Sequence, residues 1–427
     1  MKAQVIFRNF IISSAILVFM EQATAQYDAG KIYNFIQDVY NRHDKNLNDY
    51  LIAELQDFIS VFPDDKNAAE AGYLLAAIYE AKGDKHEGLV SYFKVLYLHP
   101  NATKRAACTD AARKIINTEK SYTSKKEKLL AILDGQFSGE NAADRYFTYL
   151  AFLKYLDQSN LYKWTLNAGM KFISRFPEDA RIDKVLQWVA EVQDKMGDHR
   201  EAEASYLKLD YASPESPLLP EARYRRGVIL YKALGENEKA VEVFSQIVTA
   251  FPDSEAYAGS ALFMLGEIKQ KKLKDYKGAI ADFRKLVDTY PKNDLAVDAF
   301  FAMAELQEDK LATPTEALKI YDEFVQKYPG DERGIKALEK AADIYKSTKM
   351  QDFAKAAEYY AKIAELFPTY EKAPDMLLRA GDLCEGKLKD PQKATEYYQL
   401  VLDKFPENRL AAEAKRRIGK LQAKAGE

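Results

Sequence analysis

The stretch from Glu238 to Pro291 reads EKAVEVFSQIVTAFPDSEAYAGSALFMLGEIKQKKLKDYKGAIADFRKLVDTYP. A short pattern occurs in it twice: an Ala, an aromatic four positions on, and a Pro eight positions after that. The copies are Ala240/Phe244/Pro252 and Ala279/Phe283/Pro291, with Leu265-Gly266 between them on an apolar-periodic segment. A pattern that returns at a fixed interval marks one supersecondary unit, which must stack on its neighbours to bury its apolar face.

The pattern extends along the chain as Ala202/Tyr206/Pro214, Ala317/Tyr321/Pro329, Ala356/Tyr360/Pro368 and Ala394/Tyr398/Pro406. Gly88/Tyr92/Pro100 keeps the spacing with Gly for Ala, and Leu51/Leu55/Pro63 keeps only the spacing. Phe176-Pro177 and Phe137-Ser138 are eroded copies. The anchors at 63, 100, 138, 177, 214, 252, 291, 329, 368 and 406 lie 37, 38, 39, 37, 38, 39, 38, 39 and 38 residues apart. Chance does not hold nine intervals within two residues of one another.

A single compact core of 427 residues would be unusually large. An array avoids the problem, because each unit touches only its neighbours. The net charge of −3 points neither to nucleic-acid binding nor to an acidic tail. Cys108 and Cys384 fall on distant units, so no intramolecular disulfide is expected.

Residues 1–25 read as a secretory signal peptide. Lys2 and Arg8 give a positive start, Phe10 to Met20 is an apolar run, and Ala23-Thr24-Ala25 is an A-x-A cleavage site. The run is too short to span a bilayer, which takes about 20 apolar residues. No Cys follows the cleavage site, so no lipid attachment is expected. The mature chain is expected to be periplasmic or otherwise exported, with divergent repeats over 26–210 and regular repeats over 211–427.

Each unit reads as helix, turn, helix. Asn46 or Asn48 is a candidate cap for the second helix of the first pair. Small residues mark where paired helices cross: Ala76, Ala112, Ala151, Ala190, Gly227, Gly266, Ala304, Ala342 and Gly381. The least regular part is 101–176, first rich in Lys and Arg, then carrying Tyr146, Phe147, Tyr149, Phe152, Tyr155, Tyr162 and Trp164. A last helix from Leu410, with Lys415, Arg416, Arg417 and Lys420, suits a solvated cap.

The small residue, the Ala-x3-aromatic and the closing Pro resemble tetratricopeptide repeats. The period near 38 exceeds the roughly 34 of the common repeat. Such long units are similar to those of bacterial envelope proteins, namely the lipoprotein of the barrel-assembly machinery and the cell-division coordinator associated with Tol-Pal. The resemblance implies an all-α, right-handed superhelical solenoid of about ten repeats plus a C-terminal capping helix. It also implies partner proteins as ligands. The chain departs from the family in lacking a lipid-anchoring Cys, and in having Lys269 and Gln307 where the first helix usually carries Tyr.

No residue set points to catalysis, a metal or a cofactor. His43, His86, His99 and His199 form no metal-ligand spacing, and no phosphate-loop, nucleophile-elbow or H-E-x-x-H motif occurs. In this repeat class the first helices line the concave surface. Positions three before, one after and four after the small residue are expected to face it. They are Tyr224, Tyr231, Phe263, Glu267, Gln270, Phe301, Glu305, Glu308, Asp343, Asp382 and Glu385, an acidic groove with exposed aromatics. The reading is an exported, non-catalytic scaffold whose groove takes a basic segment of an envelope protein. The alternatives are an envelope enzyme framed on the array and a self-associating assembly module.

Overall fold

The computed structural model describes residues 28–135, 137 and 139–425. The expected signal peptide and the anchor at position 138 lie outside them. The described residues form helices and turns with no strand. They make ten helix pairs and a closing helix, α21 (Leu410–Ala425), and divide into two compact units meeting at Ser216 and Pro217.

The second unit holds α11 (Leu219–Val228), α12 (Asn237–Ala250), α13 (Glu255–Ile268), α14 (Tyr276–Thr289), α15 (Ala296–Glu305), α16 (Pro314–Lys327), α17 (Arg333–Lys346), α18 (Phe353–Leu366), α19 (Ala373–Leu383), α20 (Pro391–Lys404) and α21. Gly227, Gly266, Ala304, Ala342 and Gly381 are all buried at the crossings. A Cβ on Gly266 would sit 2.5 Å from a ring carbon of Phe283, so only a residue without one allows that approach.

After each second helix the proline ends the helical run. After three of them in the second unit the side chain two residues past the proline accepts the N–H two residues further on. Asn293 takes the amide of Leu295 at 3.0 Å, Asp331 that of Arg333 at 2.9 Å, and Asn408 that of Leu410 at 3.0 Å. Such Asx turns hold the residues that lengthen the period. Neighbouring repeats are tied across one period. The Tyr290 hydroxyl donates to the Pro252 carbonyl at 2.7 Å and the Tyr328 hydroxyl to that of Pro291 at 2.8 Å.

The spacing from the crossing residue to the Ala of the second helix sets the turn between them. It is twelve from Ala190 to Ala202, and the first helix there ends on Gly197 in the left-handed region, at φ 86°. It is thirteen after Gly227, Gly266, Ala304 and Gly381. In those four repeats the last turn widens into a π-helix, at Ile229–Ala233, Lys269–Leu273, Leu306–Lys310 and Cys384–Leu388. The extra residue is absorbed by longer-range bonds, such as the Leu311 amide to the Leu306 carbonyl at 3.0 Å.

The first unit contains α1 (Ala29–Tyr40), α2 (Asn48–Val61), α3 (Ala68–Lys82), α4 (Lys85–Leu98), α5 (Arg105–Thr118), α6 (Lys126–Asp134), α7 (Ala142–Leu156), α8 (Tyr162–Arg175), α9 (Ile182–Met196) and α10 (His199–Ala212). Neither Asn46 nor Asn48 caps α2. Asp44 instead accepts from the Asn46 amide at 2.9 Å, opening a short 3-10 turn. Helix α6 has nine residues, against 14 in α4, and cannot cover the face that α4 presents. Helix α7 folds back to cover it, and α8 follows, reaching α3 through Trp164 against Tyr79 at 5.9 Å. Phe152 stacks on Phe93 with centroids 4.1 Å apart, and the Tyr149 hydroxyl donates to the Val90 carbonyl at 3.3 Å. Lys171 reaches the Ser60 carbonyl at 3.4 Å and Arg175 pairs with Asp64 at 2.5 Å, both across 111 residues. The expectation that each repeat touches only its neighbours therefore fails here. Ala151, placed at a crossing by its spacing, is only half-buried.

Candidate functional site

The first helices of the second unit present the positions picked from the sequence, but not equivalently. Phe263 and Phe301 do not stand free in solvent. Each is half-buried, Phe263 against Phe283 at 5.4 Å and Phe301 against Phe324 at 5.3 Å. Their remaining faces line one cleft of about 310 Å³ with Glu267, Gln270, Glu305, Phe283 and Ala302. Tyr224 is half-buried against Phe244 at 5.7 Å and Tyr257 at 6.0 Å.

Tyr231 corrects the expectation of an open groove aromatic. It is 8% exposed, and its hydroxyl donates to Glu267 at 3.1 Å. Burial, reinforced by Glu267, pushes its phenol up to about 12. Its task is to orient Glu267 from the preceding repeat.

The cleft also holds Asp298, Lys271, Arg333 and Lys336, which the sequence reading did not select. Three carboxylates thus face three cations, and the site is mixed in charge rather than acidic. Lys271 pairs with Glu267 at 3.4 Å and Arg333 with Asp331 at 2.7 Å. The Lys336 ammonium lies 4.9 Å from the Phe301 ring centre. Asp298 and Lys336 sit six residues before Ala304 and Ala342. Carrying the same helical spacing one turn back would have found both.

Towards the C-terminal end the groove is occupied by the chain's own side chains. Tyr398 donates to Asp382 at 2.8 Å and Glu385 at 3.0 Å, and Arg417 of α21 binds Asp382. Tyr360 donates to Asp343 at 3.3 Å, and Lys346 pairs with that carboxylate at 2.8 Å. In the repeats of Gly227 and Gly266 the aromatic of the second helix is a Phe, which has no hydroxyl to fill this role. Asp382 and Glu385 line a separate pocket of about 490 Å³ with Lys389, Arg417 and Leu421.

Between the two regions lie Glu305 and Glu308. Burial raises the Glu308 carboxyl above its usual range; Lys340 opposes the shift, and Asp309, Glu305 and Asp343 add to it. The Tyr321 hydroxyl beside them is buried without a partner among the described residues.

The other candidates for chemistry are engaged or shielded. His86 shares a 2.5 Å hydrogen bond with the Tyr122 hydroxyl, and His199 pairs with Asp194 at 2.9 Å. Burial pushes the Cys108 thiol up to about 12, away from a reactive thiolate. Among the described residues no group of His, Cys, Asp and Glu could hold a metal ion, and no helix is long and apolar enough to cross a membrane.

The tetratricopeptide-repeat family matches residues 221–254, 260–293 and 298–331, and a second description of the same repeat matches 349–409. These units are tetratricopeptide repeats. The tetratricopeptide array is a protein-interaction scaffold in kind, and proteins built this way are typically non-catalytic. No curated protein matches the chain. A tetratricopeptide repeat protein from Parabacteroides merdae is 17% identical, over 65% of this chain and 98% of its own, with a TM-score of 0.35. The C-terminal part of a repeat protein from Cytophaga hutchinsonii is 15% identical over 62% and 98%, with a TM-score of 0.40. MamA from Desulfovibrio magneticus is 21% identical over 44% and 97%, with a TM-score of 0.30.

Proposed function

We propose that this protein is an exported, non-catalytic scaffold that holds a basic, extended or helical segment of an envelope protein against the first helices α13 and α15. The observation that carries this reading is the cleft in which Phe263, Phe283 and Phe301 form an apolar floor between Glu267 and Glu305. An anchor side chain of the partner covers the rings, and concave apolar floors with a few polar groups are where such anchors gain most. A Lys or Arg beside the cleft, just past Glu305, meets Glu308, whose burial outweighs Lys340 and holds its carboxyl above the usual range with Asp309, Glu305 and Asp343 nearby. Export rests on the leader-like sequence of Lys2 to Ala25.

Changing Phe263 and Phe301 together to Ala tests the cleft. Binding of a basic partner segment, selected from a peptide library and followed by fluorescence anisotropy, should weaken by at least about 2 kcal/mol. Circular dichroism should show unchanged helicity. Equal affinity of the double variant for the same segment removes the cleft as the site.

A further inference from the structure

In the second unit each helix packs on the next in chain order, and short turns make neighbours antiparallel, so the turns between first and second helix lie along one edge. One apolar residue recurs there, at Leu234, Leu273, Leu311, Met350 and Leu388, at intervals of 39, 38, 39 and 38. Leu273 and Leu388 are 40% and 39% exposed, and both stand in the same four residues, Lys-Leu-Lys-Asp. The Asp of each turns inward. Asp275 accepts from the Gly278 amide and Asp390 from the Lys393 amide, both at 2.9 Å, so the acids are spent on capping the next helix. The outer rim is left to Lys272, Lys274, Lys387 and Lys389, with no carboxylate within ion-pair distance of any of them among the described residues. Lys274 and Lys389 both adopt φ 58° in the left-handed region, where Gly83 and Gly197 serve in the first unit.

Lysines at a helix C-terminus offset its dipole, and an apolar residue there covers the end of the pair. Neither role leaves a leucine two-fifths exposed between two lysines that no carboxylate pairs: Lys274 donates to the Lys271 carbonyl at 3.1 Å, Lys387 lies 5.6 Å from the Phe353 ring centre, and Lys389 borders the pocket of Asp382 and Glu385. We infer that this edge docks on an anionic lipid surface. Leu273 and Leu388 enter the boundary between headgroups and acyl chains, and the flanking lysines meet the lipid phosphates. The leucines favour lipid over nucleic acid, since a polyanion in water gains nothing from an aliphatic tip. This surface is distinct from the cleft and does not depend on its occupant.

The test is co-sedimentation of the purified full chain with phosphatidylcholine vesicles, with and without phosphatidylglycerol. Binding is expected only with the anionic lipid and should fall as salt rises. Lys272→Gln, Lys274→Gln, Lys387→Gln and Lys389→Gln combined should weaken it by about tenfold or more. Leu273→Ser with Leu388→Ser should weaken it about threefold to tenfold while leaving its salt dependence in place. All six side chains are at exposed turns, and the two variants report separately on charge and insertion. Absence of binding to anionic vesicles, or unchanged binding of the lysine variant, overturns the inference. So does binding that ignores the leucines and is matched by a single-stranded oligonucleotide, which would make the edge a general polyanion site.

Discussion

The ties between repeats in the second unit span 36 residues for Tyr231–Glu267, 38 for Tyr290–Pro252 and 39 for Arg284–Glu323, whereas those in the first unit reach 59, 73 and 111. The helix pair is the same in both. In the second unit each pair offers its neighbour a full-length face, and stability accumulates interface by interface. In the first unit the short α6 leaves α4 uncovered; α7 returns to bury it, and α8 ties back to α2 and α3. The first unit is thus closed on itself like a small globular domain, while the second keeps first-helix positions open for a ligand. A repeat array therefore loses its open surface wherever one helix is too short to carry the stack forward.

The largest expected effect breaks the closure. Phe93 is fully buried and stacked on Phe152. Phe93→Ala should cost about 3–5 kcal/mol. Hydrogen exchange should show protection lost through the first unit as a whole, with α15 to α20 unchanged. Loss confined to α4 and its sequence neighbours would show that the first unit is an ordinary array.

A smaller and more local effect is expected in the second unit. Gly266→Leu puts a side chain where even a Cβ meets the Phe283 ring at 2.5 Å. The overpacking should cost about 1–3 kcal/mol. Exchange should rise in α13, α14 and one repeat to either side. An unchanged Tm rejects the crossing.

The repeat interval was legible because it depends on backbone geometry. Spacing placed Ala76, Ala112, Ala190, Gly227 and Gly266 at crossings, and all are buried. The fold-back was not legible, because periodicity reports that a face is apolar but not which helix covers it. Its trace was the aromatic excess from Tyr146 to Trp164, more than one pair can bury. The groove was legible as far as Phe263, Glu267, Phe301 and Glu305. Tyr231 was misjudged for a physical reason: spacing gives the side a residue faces but not what covers it, and here its hydroxyl is held by Glu267 of the next repeat. Of the cleft's cations, Lys336 escaped because the spacing was stopped one turn short of it.

The smallest expected effect contrasts a paired acid of the first unit with a buried one of the second. The hydrogen bond from Lys195 holds Asp157 below the usual carboxylate range, as that from Arg181 does for Asp179. In the second unit, burial holds Glu308 above it. The signs for stability are opposite. Folded Glu308 retains its proton to higher pH than unfolded Glu does, so between the two pKa values the folded state binds more protons and stability falls as pH rises. Asp157 releases its proton at lower pH when folded, so its contribution is present above the ordinary Asp value and is lost as pH falls through the depressed one. Glu308→Gln should therefore raise Tm at neutral pH, with the gain shrinking as the pH drops into the ordinary Glu range. Asp157→Asn should lower Tm at neutral pH, with the loss shrinking in acid; Asn tolerates the left-handed backbone of that position, at φ 44°. Both are read from thermal melts at several pH values. Glu308→Gln should also weaken a basic partner segment, because stability withheld at an open acidic position is available to the cation that fills it. A fall in Tm for Glu308→Gln at neutral pH would mean that Lys340 already satisfies the carboxylate, and the second unit would then hold no acid waiting for a partner.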